Sequence, residues 1–253
     1  MSLTLQNQII HGDFYQELPK IRTQSVDMIL TDLPYNITEN QWETSIDINE
    51  MWNLFYHVIK ENGVIALTAS QPFSSKLVLS NLNGFKHEWV WLKNRGSNFA
   101  NTIREPMKEH EVILLFSKGK WIYNKQMQER TGMGLDRIKY ELNWKSKSTN
   151  YREFKERNGN RKSELRVPSS WQKFNIETGL HPTQKPVALF EYLIKTYTNE
   201  GDLVLDCCAG SGTTAIACMN TNRNYLCIEK DEKYFEIMKN RINNTKEMKR
   251  DVE

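Results

Sequence analysis

An acidic residue, a proline and an aromatic residue directly follow an apolar stretch near the start of the chain, in the run Asp32-Leu33-Pro34-Tyr35. A carboxylate and a backbone carbonyl can both accept hydrogen bonds from an exocyclic amino group, and the Tyr35 ring offers a flat face on which a planar base can stack. An amino group held by two acceptors becomes a better nucleophile that points at an electrophile in line. The run therefore predicts chemistry on a planar amine. Taken alone, it also fits a plain proline turn that ends a strand.

A second chemical motif lies near the other end of the chain, where an apolar stretch ends in Asp206 and leads into Gly210 and Gly212. Glycines let the backbone approach a ligand, and free N–H groups at the start of the following helix favour anions. The turn lacks the lysine of a phosphate-binding P-loop. The next apolar stretch ends in Glu229, where a carboxylate can hold both ribose hydroxyls of a cofactor. A plain structural turn is the alternative.

Short apolar runs that alternate with amphipathic segments must position these motifs. They predict strands at residues 8–11, 26–31, 64–68, 87–92, 111–117, 203–206 and 225–229. Helices are predicted at residues 51–60, 73–82, 186–197, 213–220 and 233–243, and the final residues 243–253 are expected to fray. The alternation predicts an α/β sandwich with a seven-stranded, mostly parallel sheet, whose ligand lies at the carboxyl ends of the strands.

Charge is distributed unevenly along the 253 residues, whose total is only +3. Residues 118–173 contain 15 Lys and Arg against 6 Asp and Glu, interleaved with Trp and Tyr. Basic side chains neutralise phosphates and aromatic rings stack on bases. We therefore expect residues 118–175 to form a nucleic-acid-binding lobe inserted into an α/β body made of residues 1–117 and 176–253. A solvated basic loop around a small aromatic core is the alternative.

Composition excludes several other classes of protein. The hydrophobic fraction of 39% and the charged fraction of 26% are typical of a globular protein. No apolar run approaches the roughly 18 residues that span a membrane, and the N-terminus does not resemble a signal peptide, so we expect a cytoplasmic protein without a membrane partner. The four cysteines lack metal-ligand spacing and a neighbouring histidine, which predicts neither a zinc site nor disulfides, and no catalytic metal.

Three motifs in this order resemble those of the S-adenosylmethionine-dependent amino-methylating DNA methyltransferases, specifically the permuted β class in which the catalytic motif comes first. Asp32-Leu33-Pro34-Tyr35 is similar to the D-P-P-Y motif of that family, residues 181–186 (H-P-T-Q-K-P) to the motif before its cofactor strand, and residues 206–214 to its D-P-F-x-G-S-G-T-T loop. Two further matches are residues 109–114 and 229–234. The resemblance covers residues 8–120 and 180–243. It implies a Rossmann-like methyltransferase sandwich with an inserted target-recognition lobe.

The resemblance also implies roles for individual residues. Asp32, Leu33, Pro34 and Tyr35 would be catalytic, because Leu33 supplies the same backbone carbonyl as the proline it replaces. S-adenosyl-L-methionine would be bound by Asp13, Thr183, Gln184, Lys185, Asp206, Cys208, Gly210, Gly212, Thr213, Thr214 and Glu229. Cys208 stands where the family has a phenylalanine beside the adenosine, so we expect weaker cofactor binding.

Three of the remaining assignments carry a specific expectation. Lys185 suits the carboxylate of the methionine part. A helix cap is the alternative role for Asp13. His181 is expected to be structural, and His110 and Glu111 are expected to be sheet residues, because methyl transfer to an amine needs no strong base before attack.

Basic residues on two segments are expected to contact DNA. Residues 94–99 follow a predicted strand and would form a DNA-facing loop near a flipped base. The predicted DNA-binding residues are Arg95, Arg104, Lys145, Lys147, Arg161 and Lys162.

The function predicted from these features is site-specific methylation of the N6 amino group of a flipped adenine in double-stranded DNA. In the family, Asp at the head of the catalytic motif is commoner in adenine enzymes, whereas cytosine enzymes more often carry Ser. Methylation of cytosine N4 is the first alternative. The others are a cofactor-binding DNA-binding module without catalysis and an RNA or protein amide methyltransferase. A homodimer and a separate restriction endonuclease partner are compatible with the family.

Overall fold

The computed structural model describes residues 6–34, 46–139 and 163–250. The predicted site residues Tyr35, Lys145, Lys147, Arg161 and Lys162 lie outside the described residues. The chain divides into two compact units, the first made of Met1–Asn124 and Ser170–Glu253 and the second of Lys125–Ser169.

Eight of the ten strands in the described residues form one large sheet. The strands are β1 (Gln8–His11), β2 (Val26–Thr31), β3 (Ile59–Ala69), β4 (Phe85–Ser97), β5 (Lys108–Phe116), β6 (Gln128–Glu129), β7 (Leu165–Arg166), β8 (Trp171–Lys173), β9 (Leu203–Asp206) and β10 (Asn224–Glu229). Their order in the sheet is β1-β10-β9-β2-β3-β5-β4-β8. Strand β5 runs antiparallel to both of its neighbours, and every other pair is parallel.

The predicted mostly parallel α/β sandwich is confirmed, with one correction to the number of strands. All seven predicted strands are present, and β8 adds an eighth at the edge beside β4. Its three residues are too few for a period of two to stand out in the sequence.

Helices cover both faces of the large sheet. The α-helices of the described residues are α1 (Phe14–Glu17), α2 (Ile48–Val58), α3 (Phe73–Ser80), α4 (Met133–Lys139), α5 (Val187–Tyr197), α6 (Thr213–Asn220) and α7 (Glu232–Arg250). Alternation along β2 sends Ile29 into the core beneath α2 and α3, and Met28 and Leu30 into the core beneath α5, α6 and α7. Within the described parts of the chain, no helix has both the length and the apolar character needed to cross a bilayer.

The expectation that residues 243–253 fray was wrong as far as Arg250, where α7 ends. Met238 and Ile242 anchor the helix in the core. Beyond them, Lys249 Nζ donates to the carbonyl oxygen of Met219 at 2.6 Å. The helix is therefore held at its far end as well as in its middle.

The second unit contains a short antiparallel pair. Gln128 lies opposite Arg166 in the pairing of β6 with β7. Arg130 Nε donates to the carbonyl oxygen of Ser163 at 3.0 Å, and Ser169 N donates to Gln128 Oε1 at 3.1 Å. These bonds join the two described ends of the unit.

Candidate active site

A cavity of about 1020 Å³ lies at the carboxyl ends of β1, β2, β9 and β10. Parallel strands bring the residues that follow them to the same edge of a sheet. The predicted site residues that line the cavity are Asp13, Asp32, Leu33, Pro34, Arg95, Thr183, Gln184, Lys185, Asp206, Cys208, Gly210, Thr213 and Glu229. Gly212, Thr214 and Arg104, although described, are not among its lining residues.

Asp32 directly follows β2, and both of its carboxylate oxygens hold donors. The Thr68 hydroxyl donates to Oδ1, and Lys185 Nζ donates to Oδ2 at 2.5 Å. Burial alone lowers the pKa of Lys185, but the negative charges of Asp32 and Glu111 outweigh it and raise that pKa above its ordinary value. The lysine is therefore a cation, and it donates a charge-assisted hydrogen bond to the Asp32 carboxylate.

The charge network continues from Lys185 into the sheet. Glu111 Oε2 lies 3.6 Å from Lys185 Nζ, and Glu111 Oε1 accepts a hydrogen bond from Lys93 Nζ at 2.5 Å. Glu111 is a sheet residue on β5, as expected, but its carboxylate lines the cavity. Two cations and two carboxylates thus alternate along one wall of the site.

Sequence reasoning missed Thr68 and Lys93. Lys93 comes directly after the predicted strand 87–92, so the rule that selected Asp32, a charged residue at the end of an apolar strand, could have found it. Thr68 lies inside β3, and nothing in the sequence distinguishes it from any other buried strand residue.

The turn between β9 and α6 is held by the carboxylate of Asp206. The Thr214 hydroxyl donates to Asp206 Oδ2, and Cys208 N donates to Oδ1 at 3.1 Å. Burial raises the pKa of Asp206 to about 6. Gly212 has φ +80°, and a Cβ atom added there would lie 2.7 Å from Met238 Cγ. The turn needs glycine for both reasons, and Thr214 stabilises it from within the core.

Glu229 ends β10 and faces this turn. Its Oε2 accepts a hydrogen bond from Gly210 N at 2.6 Å and its Oε1 accepts one from Asp231 N at 2.8 Å. Burial raises the pKa of Glu229. Each carboxylate oxygen keeps further acceptor capacity. A partly buried carboxylate beside a glycine turn, on a cavity of this size, fits the ribose diol of an adenosine-bearing cofactor.

Asp13 takes the alternative role considered for it and also borders the cavity. Its side chain caps α1 by accepting a hydrogen bond from Tyr15 N at 3.0 Å, and it pairs with Lys230 Nζ at 2.8 Å. The cavity thus has an acidic residue at or just beyond the carboxyl end of each of the strands β1, β2, β9 and β10.

The segment before α5 is held by its own side chains. His181 stacks edge-on against Tyr234 with ring centroids 4.2 Å apart, and its Nδ1 accepts a hydrogen bond from Thr183 N at 3.2 Å. Burial lowers the pKa of His181, which favours the neutral ring. Gln184 Nε2 donates to Glu177 Oε2 at 3.1 Å. These contacts fix the backbone that carries Lys185.

The β4–β5 hairpin borders the cavity. Arg95 and Lys108 line it, while Arg104 is exposed beyond the lining. Phe99 and Ile103, near the tip, are 81% and 94% exposed. Two large apolar side chains flanked by arginines are therefore presented to the surroundings of the site.

The described residues contain no group of three or more His, Cys, Asp or Glu side chains that could hold a metal ion. The four cysteines are free thiols, and Cys208 is the half-buried one among them. The side-chain hydrogen bond with Cys207, together with burial, keeps the pKa of Cys208 well above its ordinary value. Cys208 is therefore a neutral lining residue.

Comparison with known proteins finds matches that cover most of the chain, including most of the residues that line the cavity. A family model described as DNA methylase matches residues 26–240. The chain is 28% identical to the type II methyltransferase M.HpaI of Haemophilus parainfluenzae, over 94% of this chain and 74% of that protein. It is 29% identical to the DNA adenine methyltransferase YhdJ of Escherichia coli strain K12, over 90% of this chain and 80% of that protein.

Solved structures give the same result at the level of the fold. The crystal structure of the M1.HpyAVI–SAM complex matches with a TM-score of 0.62 and 28% identity, covering 92% of this chain and 98% of that chain. The cytosine-N4-specific PvuII DNA methyltransferase matches with a TM-score of 0.64 and 13% identity, covering 92% of this chain and 85% of that chain. At that identity, the second match concerns the fold alone.

Proposed function

Since the chain belongs to the DNA methylase family, we propose that it transfers a methyl group from S-adenosyl-L-methionine to the N6 amino group of a flipped adenine in double-stranded DNA. The main support for the proposal is the position of Asp32 and the hydrogen bonds that hold it. This residue lies at the end of a central strand, with both oxygens held by donors, in the same cavity as Glu229 and the glycine turn. That cavity places an acceptor for an amino group next to a site that fits adenosine.

The cofactor supplies an electrophilic methyl group on a sulfonium sulfur. We assign its ribose to Glu229, and we assign the backbone that approaches it to Gly210 in the turn. Asp206, Gly212 and Thr214 keep this turn in shape. The other cofactor residues proposed on the cavity wall are Asp13, Thr183, Gln184, Cys208 and Thr213.

The reacting amino group is held by the residues after β2. Asp32 accepts one of its N–H bonds and the Leu33 carbonyl accepts the other, so that the nitrogen lone pair faces the methyl donor. The methylated nitrogen must lose one proton, and the Asp32 carboxylate is positioned to receive it and pass it to water. Pro34 fixes the turn, and the stacking role proposed for Tyr35 falls on a residue outside the described ranges.

Adenine is favoured over cytosine by two observations. The chain has Asp at the head of the catalytic motif, and a relative matched over 90% of the chain is named a DNA adenine methyltransferase. Cytosine N4 presents the same exocyclic amine on a smaller ring, so it stays the alternative substrate. A module that binds without catalysis is disfavoured, because Asp32 and its donors are all in place.

DNA binding is assigned to the hairpin rim and the basic lobe. Arg95 and Arg104 on the hairpin would contact phosphates. The lobe at residues 118–175 would recognise the target sequence, since its excess of positive charge suits a polyanion. Its proposed contacts are Lys145, Lys147, Arg161 and Lys162.

Two protein partners are proposed. Several are named type II methyltransferases, which supports a separate restriction endonuclease that cleaves the same DNA sequence when it is unmethylated. A homodimer is the other proposed assembly, and light scattering on the purified protein measures it directly. The cytoplasm is the compartment proposed for this activity.

The experiment that tests the function is a product analysis. The protein is incubated with methyl-labelled S-adenosyl-L-methionine and duplex DNA of mixed sequence, the DNA is digested to nucleosides, and the products are identified by mass spectrometry. We expect labelled N6-methyldeoxyadenosine. Labelled N4-methyldeoxycytidine would establish the alternative substrate, and cofactor binding without any labelled nucleoside would establish the non-catalytic module.

A further inference from the structure

Lys185 lies between two carboxylates at the inner wall of the cavity. Its Nζ is 2.5 Å from Asp32 Oδ2 and 3.6 Å from Glu111 Oε2, and a third contact joins it to the carbonyl oxygen of Thr183 at 3.4 Å. The side chain is 7% exposed. An ammonium group has three donors, and the residues of this chain already occupy its surroundings.

The contact with Lys185 constrains the direction of the Asp32 carboxylate. Thr68 holds one oxygen and Lys185 the other, so the carboxylate cannot rotate without breaking a bond. The direction in which Asp32 can accept a hydrogen bond from the amino group of a base is therefore set by these two donors.

The backbone of Lys185 is tied to the glycine turn. The Thr213 hydroxyl, at the start of α6, donates to the carbonyl oxygen of Lys185 at 3.3 Å. Pro186, buried at the start of α5, follows directly. One residue thus links the part of the cavity that fits adenosine with the carboxylate that would hold the target base.

We propose that Lys185 is a positioning residue for methyl transfer that acts through Asp32, holding its carboxylate in place and directed into the cavity, and that it is not a ligand of the methionine carboxylate. The carboxylate of Glu111, on β5, partly offsets the positive charge of Lys185. The inference rests on the proposed function, since Asp32 must hold the target amino group for Lys185 to matter.

The groups that face Asp32 determine the expected direction of change. Lys185 precedes α5 and contacts Asp32, Glu111 on β5 contacts Lys185, and His181 and Asp206 lie within electrostatic reach of Asp32. Loss of the Lys185 cation makes the whole site more negative, which moves the acid limb of the methylation rate profile to higher pH. Loss of the Glu111 carboxylate makes the site less negative and moves the acid limb to lower pH.

The test compares single-turnover methylation rates over a range of pH for wild type, Lys185→Met and Glu111→Gln. For Lys185→Met we expect a rate at neutral pH lower by at least about tenfold, and an acid limb of the rate profile moved up by about one pH unit. For Glu111→Gln we expect the acid limb to move to lower pH. Lys60→Met is the matched control, because it removes a lysine from an ion pair with Asp27 that does not line the cavity, and we expect its profile to be unchanged.

Calorimetric titration with S-adenosyl-L-methionine provides the second readout. We expect the cofactor affinity of Lys185→Met to stay within about threefold of wild type, because the lysine acts on Asp32. A large loss of affinity with an unchanged acid limb would make Lys185 a cofactor ligand and overturn the proposal. Acid limbs that move in the same direction in both variants, or in neither, would overturn it too.

Two controls keep the outcome interpretable. If Lys185→Met does not fold, as judged by its thermal transition, the Glu111→Gln profile still decides, because Gln keeps the shape of Glu and one acceptor oxygen while losing its charge. Failure of the proposed function would be seen separately, as wild-type protein that binds cofactor and methylates no DNA.

Discussion

Asp32 follows β2 and Asp206 ends β9, both central strands of the sheet, but the side chains around the two carboxylates differ. Asp32 forms an ion pair with Lys185. Asp206 receives hydrogen bonds from Thr214 and Cys208 N, no cation of the described residues lies within ion-pairing distance of it, and burial raises its pKa to about 6. Sequence reasoning placed both acids at the ligand edge. It could not separate their roles, because the difference lies in side chains from distant parts of the chain.

The raised pKa of Asp206 predicts a pH dependence of stability. Its pKa is about 6 in the folded protein against an ordinary value of 3.8, so the folded state binds more protons between these values. The stabilisation that this group provides is present below about pH 4 and is lost as pH rises through about 6. Asp206→Asn should remove that loss, which is about 2 to 3 kcal/mol in the free energy of unfolding.

Urea denaturation at pH 4, 5 and 7 measures the effect of Asp206→Asn. Glu236→Gln is the control, since Glu236 is an exposed acid on α7 that pairs with Lys239. An Asn variant that loses as much stability between pH 4 and 7 as wild type would show that the buried carboxylate does not carry a raised pKa.

At the scale of elements, strand direction determines which residues reach the site. Most strands of the sheet are parallel and deliver the residues that follow their carboxyl ends. Strand β5 runs the other way, so Glu111, near its start, arrives at the same edge. Hydrophobic periodicity identifies a strand but carries no information on its direction. For this reason Glu111 was predicted correctly as a sheet residue, while its carboxylate in the cavity was not foreseen.

The connection between β9 and α6 offers a test of how the glycine turn is held. Gly212→Ala should destabilise the protein by about 2 to 4 kcal/mol, because the new Cβ adds a clash with Met238 to the strain of positive φ. Gly201→Ala is the matched variant, with φ +82° and nothing within 4 Å of the added Cβ, and should cost only about 1 to 2 kcal/mol. Equal losses for the two variants in urea denaturation would contradict the close packing of the turn on α7.

For the molecule as a whole, the distribution of charge matters more than its total. A net charge of +3 by itself gives no reason to expect a polyanion as partner. Positions 118–173, with 15 basic and 6 acidic residues, do indicate such a partner. This local excess can be read from the sequence because counting charged residues requires no knowledge of the fold. The order of the strands was not visible there, because pairing between distant segments depends on packing.

DNA affinity should therefore depend steeply on salt. We expect binding to weaken by about 10³ between roughly 50 and 200 mM salt, with Arg95→Ala and Arg104→Ala each reducing the slope of the log–log plot by about one. Arg22→Ala, which changes an exposed arginine before the start of β2, is the control and should leave the slope unchanged. Fluorescence anisotropy with a labelled duplex gives the slopes, and a flat dependence in wild type would argue against DNA as the ligand.

The most direct test of the central claim concerns Asp32 and methyl transfer. Single-turnover transfer of labelled methyl groups to duplex DNA is measured for wild type, Asp32→Ala and the surface control Glu236→Ala, after calorimetry has established that all three bind S-adenosyl-L-methionine. We expect Asp32→Ala to lose at least about 10³-fold in rate with cofactor affinity within about threefold of wild type, and Glu236→Ala to match wild type. Transfer by Asp32→Ala at a rate near that of wild type would contradict the proposed role of Asp32.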